Sequence, residues 1–432
     1  MRKVILLLLR SCLLLRSTLA TLSVTSRVTR SVEDIDACNY TQNGVVRIAH
    51  PISLQTDSKY FDSSRDAMKA IELIFDYINT ARCGIQLNNG ERVWLELTSY
   101  DDYGRSERVA SIIDKTLNGV FDQPDFYLGP YSSELTSAQT QLTQDARKIT
   151  VAGGAASTSI FEGKDMTFGT FTPTNQYLTS VVELLSQHGV KTVASFYENL
   201  GFTRGVCSAL PNLLGSHEMD LIYTNQVENH PSPEMLAPMA YNFSMMEEPP
   251  EAVISCVYET GCESWMKAMR IANWSPNAQV FTVCVGKESF EAAVGSDAEY
   301  ILGVSPWDKS MTVVDQVTGW TASDFNDLFR EYTVSPATYQ AVSAAASLSV
   351  LIQALEIAKD WKNNDEIADI LSTETFSTLY GNISFDLNGQ NLAPFLTLQY
   401  QHETKKRESL SVHPLFPKTN NATEFTYPMP TV

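Results

Sequence analysis

Residues 126–159 read FYLGPYSSELTSAQTQLTQDARKITVAGGAASTS and hold two short apolar strands that each end in small, hydroxyl-bearing residues. Phe126–Leu128 leads through Gly129–Ser133 into a helical pattern, and Ile149–Ala152 leads into Gly153–Ser159. Such a turn leaves backbone N–H groups unpaired where a helix begins, and the helix dipole there favours an anion such as a carboxylate. Turns from neighbouring parallel strands open on one crevice. The pair therefore predicts a binding site, although a serine N-cap also explains either turn alone.

Strand and helix patterns alternate along most of the chain, which favours parallel βαβ units with helices on both faces of a sheet. The pattern restarts near residues 168–175, and Pro173 and Pro306 mark two joints. At 432 residues the chain also exceeds what one core usually supports. We predict an α/β protein of two doubly wound, Rossmann-like lobes with crossing connections. The predicted helices include 67–78, 109–117, 178–185, 205–214, 263–272, 289–294, 323–332 and 339–358, and the predicted strands include 45–49, 93–98, 192–197, 221–225, 252–257 and 280–285.

Residues 1–20 have the order of a secretory signal peptide: basic residues, an apolar run, then small residues that favour cleavage after Ala20. The best candidate for a later membrane span is segment 341–358. Its serines, Gln353 and Glu356 indicate a packed core helix instead. The sequence therefore predicts a secreted or extracellular protein.

The chain is acidic, with 31 Lys and Arg against 50 Asp and Glu and a formal net charge of −19. Loss of residues 1–20 would remove four basic residues and bring the net charge near −23. This charge opposes nucleic acid and anionic membranes as partners, but it does not identify a ligand.

The seven cysteines, of which Cys12 lies in the signal segment, support an oxidising compartment. The other six allow 15 pairings, among which Cys256–Cys262 is the local candidate. No spacing fits zinc, so we predict neither a metal nor a cofactor. Five N-x-[ST] sequons fit a eukaryotic secretory route, and Pro276 disfavours the one at Asn273. The predicted glycosylation sites are Asn39, Asn242, Asn382 and Asn421.

Motifs for catalysis are missing from the sequence. It has no G-x-S-x-G elbow, no H-E-x-x-H and no Walker loop, and its six histidines are scattered. We therefore predict a protein that is not an enzyme. A secreted α/β hydrolase is the alternative that a nucleophile elbow would have supported.

Short landmarks follow one another in order from Val45 to Gln399. They are an opening strand Val45–Ala49, a helix Ala70–Asn79, the acidic pair Asp101-Asp102, the two turns Gly129–Ser133 and Val151–Ser159, a crossover Phe171–Asn175, and a closing segment Tyr380–Asp386 with Gly389 and Phe395–Gln399.

In order and spacing these landmarks resemble the type I periplasmic-binding-protein family, which includes bacterial branched-chain amino acid binding proteins and the ligand-binding regions of natriuretic-peptide-type and class C receptors. The resemblance implies a Venus flytrap, in which two lobes joined by three crossover strands close on a small polar, amino-acid-like ligand in the cleft between them. It assigns residues 45–172 with 305–378 to lobe 1 and residues 173–304 with 379–401 to lobe 2. Residues 402–432 carry several prolines and show no apolar period, so the sequence itself predicts an extended tail that is dispensable for binding.

Site residues follow from the same resemblance. In lobe 1 it implicates Tyr131, Ser132 or Ser133 and the turn Ala155–Thr158, where Ala156 stands at the family's usual Thr, so that Ser157 or Thr158 would serve. In lobe 2 it implicates Phe202, which lacks the hydroxyl of the usual Tyr, together with Tyr258 and Glu259. Lys287, just after a predicted strand, could pair with an acidic group of a ligand, but it is interpreted as a solvated side chain.

The resemblance also implies a disulfide between Cys38 and Cys83, at the edge of lobe 1. It leaves open whether the chain is a free-standing binding protein that serves a membrane receptor or transporter, or the ectodomain of a receptor. A cleft without a ligand that serves as a dimerisation domain through lobe 1 is a third possibility.

Overall fold

The computed structural model describes residues 24–28, 38, 43–403, 406–416 and 424–430. The predicted signal segment 1–20 and the sequons at Asn39 and Asn421 lie outside these residues. The strands are β1 Val24–Val28, β2 Gly44–Ile52, β3 Ile85–Gln86, β4 Arg92–Asp101, β5 Phe126–Leu128, β6 Thr150–Ala152, β7 Thr167–Gly169, β8 Thr192–Glu198, β9 Asp220–Val227, β10 Ala252–Cys256, β11 Ala278–Phe281, β12 Leu302–Ser305, β13 Phe376–Thr378, β14 Gly381–Ile383, β15 Leu396–Glu403 and β16 Lys406–Phe416. The helices are α1 Phe61–Thr80, α2 Ser106–Leu117, α3 Ser133–Asp145, α4 Thr179–Gln187, α5 Gly201–Ser208, α6 Leu210–Gly215, α7 Pro233–Ser244, α8 Glu259–Ala272, α9 Glu288–Val294, α10 Ala322–Thr333, α11 Tyr339–Ile357 and α12 Asn364–Thr373, with short 3₁₀ turns at Thr158–Ile160, Thr174–Gln176 and Gly295–Ala298.

The chain divides into two compact units and passes between them three times. Of the described residues, those within 1–171 and 312–392 form unit 1, and those within 172–311 and 393–432 form unit 2. Each unit is built on a largely parallel sheet with helices, so the predicted class of two doubly wound α/β units is confirmed.

The sheet of unit 1 has the order β1-β4-β2-β5-β6-β7, with β3 also beside β4. The strands β4, β2, β5, β6 and β7 run parallel to one another, whereas β1 and β3 run antiparallel to β4. The loops after β2, β5 and β6 therefore leave the same edge of the sheet. This edge carries the candidate residues of unit 1.

Helix α11 forms much of the core of unit 1. It is long and apolar enough to cross a membrane by composition, but 89% of its most apolar window is buried inside the protein. Its alanines and serines are small enough to let neighbouring backbone approach, and a Cβ on Gly153 would come within 2.8 Å of the Ala344 Cα. The helix is therefore a core element, as its composition predicts.

The sheet of unit 2 has the order β16-β15-β12-β11-β10-β8-β9. Its inner strands β8 and β10–β12 are parallel, and β15 and β16 add an antiparallel edge. The core beside them centres on Trp265, which is fully buried and donates its indole N–H to the Gln279 Oε1 at 2.6 Å.

The unit boundaries differ from those that the family resemblance implied. Segment 379–392 lies in unit 1, because β14 pairs with β13 and the Gly169 N–H donates to the Gly389 carbonyl at 2.8 Å. Segment 305–311 lies in unit 2, where it continues directly from β12.

The prediction of an extended tail over residues 402–432 is wrong for the described part of that segment. β16 pairs antiparallel with β15, and Leu415 is buried. Farther along, the Thr426 N–H donates to the Gln399 Oε1 at 3.0 Å and the Met429 N–H donates to the Asn277 carbonyl at 2.7 Å. Alternating residues Leu410, Val412 and Pro414 follow a strand period that sequence reasoning had passed over because of the nearby prolines.

The described residues contain three disulfides: Cys38–Cys83 in unit 1, and Cys207–Cys256 and Cys262–Cys284 in unit 2. The local candidate Cys256–Cys262 is therefore wrong. Cys256 ends β10, where α5 brings Cys207 to a Cα separation of 6.0 Å. Cys262 lies in the first turn of α8 and reaches the segment after β11 instead.

Candidate functional site

The first turn of unit 1 separates the roles of two adjacent serines. Ser132 is the N-cap of α3, and its Oγ accepts from the Leu135 N–H at 3.2 Å. Ser133 is the first helical residue. Its Oγ accepts from the N–H groups of Ala156 and Ser157 at 3.3 and 3.2 Å. Ser133 therefore joins the first turn to the second.

The two turns are also joined through their backbones. The Ser132 N–H donates to the Gly154 carbonyl at 3.1 Å, and a Cβ on Gly154 would lie 2.8 Å from the Tyr131 Cα. Any residue other than glycine at position 154 would push the turns apart. The predicted meeting of the two loops on one edge of the sheet is thus observed within unit 1.

The second turn differs from the sequence prediction in one respect. It leads into a single 3₁₀ turn, Thr158–Ile160, rather than a helix, so it has no substantial helix dipole. The Ala155 and Ala156 side chains are buried, whereas Ser157 and Thr158 are half-buried. The N–H groups of Ala156 and Ser157 donate to the Ser133 Oγ, so they stabilise the conformation of the turn and are not available to a ligand.

Several donors remain at this edge without an acceptor among the described residues. They are the backbone N–H groups of Ser133, Glu134 and Thr158. The Ser133 hydroxyl already accepts two bonds, so its own proton is available to an acceptor outside the protein. Together these groups can bind an anionic oxygen at the start of α3, a helix of 13 residues.

The loop after β2 lies beside these turns and is anchored by the acidic pair. The Ser53 Oγ donates to the Asp102 Oδ1 at 2.6 Å, and the Leu54 N–H donates to the Asp101 Oδ1 at 3.0 Å. Burial raises the pKa of Asp102 to about 6. The loop ends at Tyr60, a residue that the sequence analysis did not select.

Tyr60 lies against the first turn. Its ring packs edge-on against Tyr131 with centroids 6.2 Å apart, and its hydroxyl donates to the Glu134 Oε2 at 3.0 Å. Lys59 pairs with the same carboxylate at 3.5 Å, and both charges are more than half exposed. Glu134 is therefore compensated, which limits its repulsion of an anion at the neighbouring N–H groups.

Two buried polar side chains support the turns from below. His50, at the carboxyl end of β2, lines a small cavity with Gly129, Tyr131 and Gly154, and its Nδ1 has no hydrogen-bond partner in the part of the chain that the structure describes. Burial lowers the pKa of His50 to about 4, which a contact with the Gly129 backbone opposes. The imidazole is therefore neutral at pH 7.

Gln390 holds the second turn. Its Nε2 donates to the Ala156 carbonyl at 3.2 Å, and the side chain is fully buried. No sequence signal pointed to this residue, because 234 positions separate it from Ala156. Its proximity depends on segment 379–392 belonging to unit 1.

The candidate residues of unit 2 meet at the carboxyl edge of its sheet. The Phe202 ring packs edge-on against Tyr177, with centroids 5.2 Å apart, and lies 5.9 Å from the Tyr258 ring. Both Phe202 and Tyr258 are half-buried and pack on the main core cluster of the unit. One part of each side chain packs against the core, and the exposed part contributes to an aromatic surface at the edge of the sheet.

Glu259 begins α8 and forms an ion pair with Lys287, whose side chain is 16% exposed. The interpretation of Lys287 as a solvated side chain is therefore wrong. The pair neutralises the Glu259 carboxylate, which the family resemblance implicates in binding a ligand ammonium group.

Glu198, missed by the sequence analysis, organises this edge. It is fully buried, and its two carboxylate oxygens accept from the N–H groups of His230 and Tyr258, each at 3.2 Å. Burial raises the pKa of Glu198, and these two bonds oppose the shift. The carboxylate links the loops after β9 and β10.

A sequence model of the periplasmic binding proteins matches residues 45–405. The chain belongs to this family. Residues 45–405 contain both turns of unit 1 and the aromatic and acidic residues of unit 2, so the candidate residues of each unit lie within the family match.

Solved structures of similar fold include three bacterial solute-binding proteins. LivJ from Streptococcus pneumoniae, in complex with isoleucine, has a TM-score of 0.67 and 16% identity over 86% of this chain and 99% of its own. A substrate-binding protein from Desulfitobacterium hafniense, in complex with leucine, has a TM-score of 0.68 and 14% identity over 85% of this chain and 99% of its own. A solute-binding protein from Rhodopseudomonas palustris, in complex with 3,4-dihydroxybenzoic acid, has a TM-score of 0.69 and 12% identity over 88% of this chain and 98% of its own. At these identities the likeness concerns the fold.

Proposed function

We propose that the protein binds a small carboxylate-bearing molecule, amino-acid-like in size, outside the cytoplasm, and that unit 1 holds the carboxylate at the start of α3. The observation that carries this proposal is Ser133. Its Oγ accepts from two N–H groups of the second turn, so its proton is directed to an acceptor that the protein does not supply.

The geometry around Ser133 suits a carboxylate. The N–H groups of Ser133 and Glu134 lie at the positive end of the α3 dipole, and charge-assisted bonds to such donors are about twice as strong as neutral ones. Isoleucine, leucine and dihydroxybenzoic acid, bound by the similar proteins, differ in their amino groups and side chains but share a carboxylate. A carboxylate site in the first unit of the fold is consistent with this variety of ligands.

For unit 2 we propose that Phe202 and Tyr258 supply an apolar surface for the rest of the ligand. The Glu259–Lys287 ion pair determines how much an ammonium group on the ligand contributes to the affinity. We further propose that the protein is secreted and glycosylated, with Asn242 and Asn382 exposed for this purpose.

A thermal-shift screen tests the proposal. Amino acids and small organic acids should raise the melting temperature, because a ligand that binds only the folded state stabilises it by mass action. The matching primary amides and urea should have little effect. If amides stabilise the protein as well as the acids do, the carboxylate site is excluded.

Replacement of Ser133 by Ala should weaken binding of an acid found in this screen. The loss of one charge-assisted hydrogen bond corresponds to about 1.5–3 kcal/mol, so the affinity should fall by about 10- to 100-fold. Titration calorimetry measures the change.

The matched control is Ser132→Ala, which removes the cap of α3. It should lower the free energy of unfolding by about 1 kcal/mol and change the affinity less than Ser133→Ala does. A Ser133→Ala protein with unchanged affinity would make Ser133 purely structural.

Replacement of Lys287 by Met should change ligand preference. Without Lys287 the Glu259 carboxylate is no longer compensated and favours a ligand ammonium group. Affinity for leucine relative to 4-methylpentanoate, which lacks the amine, should rise about 10-fold, or about 1.4 kcal/mol. Equal changes for the two ligands would place Glu259 outside the ligand site.

A further inference from the structure

Helix α7 of unit 2 is apolar on its outer face as well as on its inner face. Leu236, Met239, Ala240 and Phe243 are buried in the core. On the opposite side the side chains of Met235, Tyr241 and Met245 are 48%, 55% and 67% exposed. From Met235 to Met246 the sequence has no charged residue. A helix that is apolar all round is normally covered.

The exposed residues form one stripe. Met235, Pro238 and Met245 share a face with Asn242 by their spacing of three and four residues, and Tyr241 flanks it four residues before Met245. We call Met235, Pro238, Tyr241 and Met245 the α7 stripe. Asn242 lies within it.

Asn242 is the acceptor of the sequon Asn242-Phe243-Ser244. It is exposed, and its side-chain amide makes no hydrogen bond to any residue that the structure describes. Phe243, the middle residue of the sequon, points into the core, where its ring lies 5.7 Å from Trp274. The helix is thereby fixed with the Asn242 amide facing outward.

We infer that an N-linked glycan on Asn242 covers the α7 stripe and keeps this face from associating with a second copy of the chain. The inference rests on the proposed secretion and glycosylation. In the modification the Asn242 Nδ2 bonds to the anomeric carbon of a sugar supplied as a lipid diphosphate ester. The amide loses one proton, and the lipid diphosphate leaves. The glycan is bulky and hydrated, so it covers apolar side chains that would otherwise make an adhesive patch.

The sequon at Asn382 offers a matched comparison. Asn382 is exposed on the strand β14 between buried Gly381 and Ile383, and its Oδ1 accepts from the Ser377 hydroxyl at 3.0 Å. A glycan there covers no apolar helix face. Loss of that glycan should leave the association state unchanged.

The experiment uses the full chain secreted from animal cells. Mass spectrometry should find a glycan on Asn242, and light scattering should show the wild type and Asn382→Gln as monomers. Asn242→Gln should approach about twice the monomer mass as its concentration rises, and adding Met245→Glu should restore the monomer. Wild-type protein whose glycans are trimmed to one sugar per site after folding should associate in the same way as Asn242→Gln. This sample tests the inference even if the Asn242→Gln variant is not secreted.

An unmodified Asn242, a wild type that associates with its glycan in place, or trimmed protein that stays monomeric would each overturn the inference. Ligand titration of the same samples separates it from the proposed function. Asn242→Gln should bind with wild-type affinity, whereas failure of every sample to bind a carboxylate would concern the site in unit 1 alone.

Discussion

Truncation after Gln401 should destabilise unit 2 severely. The deletion removes β16 and its pairing with β15, and it removes the buried Leu415 from the core. Truncating one buried leucine to alanine already costs about 2–5 kcal/mol, so the whole segment should cost at least about 3 kcal/mol. Far-UV circular dichroism during urea unfolding measures the loss.

The single replacement Leu415→Ala isolates the packing part of this effect. It should lower the free energy of unfolding by about 2–5 kcal/mol and leave the chain length unchanged. A truncated protein with wild-type stability would show that the antiparallel edge of unit 2 contributes nothing, and that the segment is dispensable after all.

Acidification should destabilise the wild type relative to His50→Gln. Burial lowers the pKa of His50 from 6.5 to about 4, so the unfolded chain takes up its proton first as the pH falls. The stability that the neutral imidazole contributes is fully present above pH 6.5 and is lost as the pH falls to 4. The shift corresponds to a loss on the order of 3 kcal/mol.

The comparison must be made between variants, because Asp102 acts in the opposite direction. Its pKa is raised from 3.8 to about 6, so the folded state takes up that proton first and gains stability over the same pH range. Urea unfolding at pH 7 and pH 4 should show the wild type losing about 3 kcal/mol more than His50→Gln. The substitution His217→Gln in unit 2 leaves His50 in place and should retain the loss. Parallel pH profiles for the wild type and His50→Gln would contradict the burial argument.

Much of the fold could be predicted because its signals are local. The apolar period of residues 67–78 predicts the buried face of α1, and the small residues after β5 and β6 predict the two turns. Helix α7 has no counterpart among the predicted helices, and its sequence contains Pro233 and Pro238, a residue type that normally interrupts a helix. Pro233 begins the helix, where its missing N–H is not needed, and packing of Leu236 and Phe243 stabilises the helix despite Pro238.

The site was less predictable because its supports come from distant parts of the chain. Gln390 reaches Ala156, Glu198 joins two loops of unit 2, and Lys287 pairs with Glu259. None of these contacts has a sequence spacing that could reveal it. The turn residues themselves were found because a strand ending in glycine and serine has a direct physical meaning.

Titration calorimetry with leucine and leucinamide, and with benzoate and benzamide, tests the carboxylate site most directly. The two members of each pair differ only in the group that the start of α3 is proposed to hold. At least one acid should bind, and its amide should bind about 10-fold more weakly or not at all, because it cannot accept charge-assisted hydrogen bonds from the Ser133 hydroxyl and the neighbouring N–H groups. An amide that binds as tightly as its acid would contradict the account.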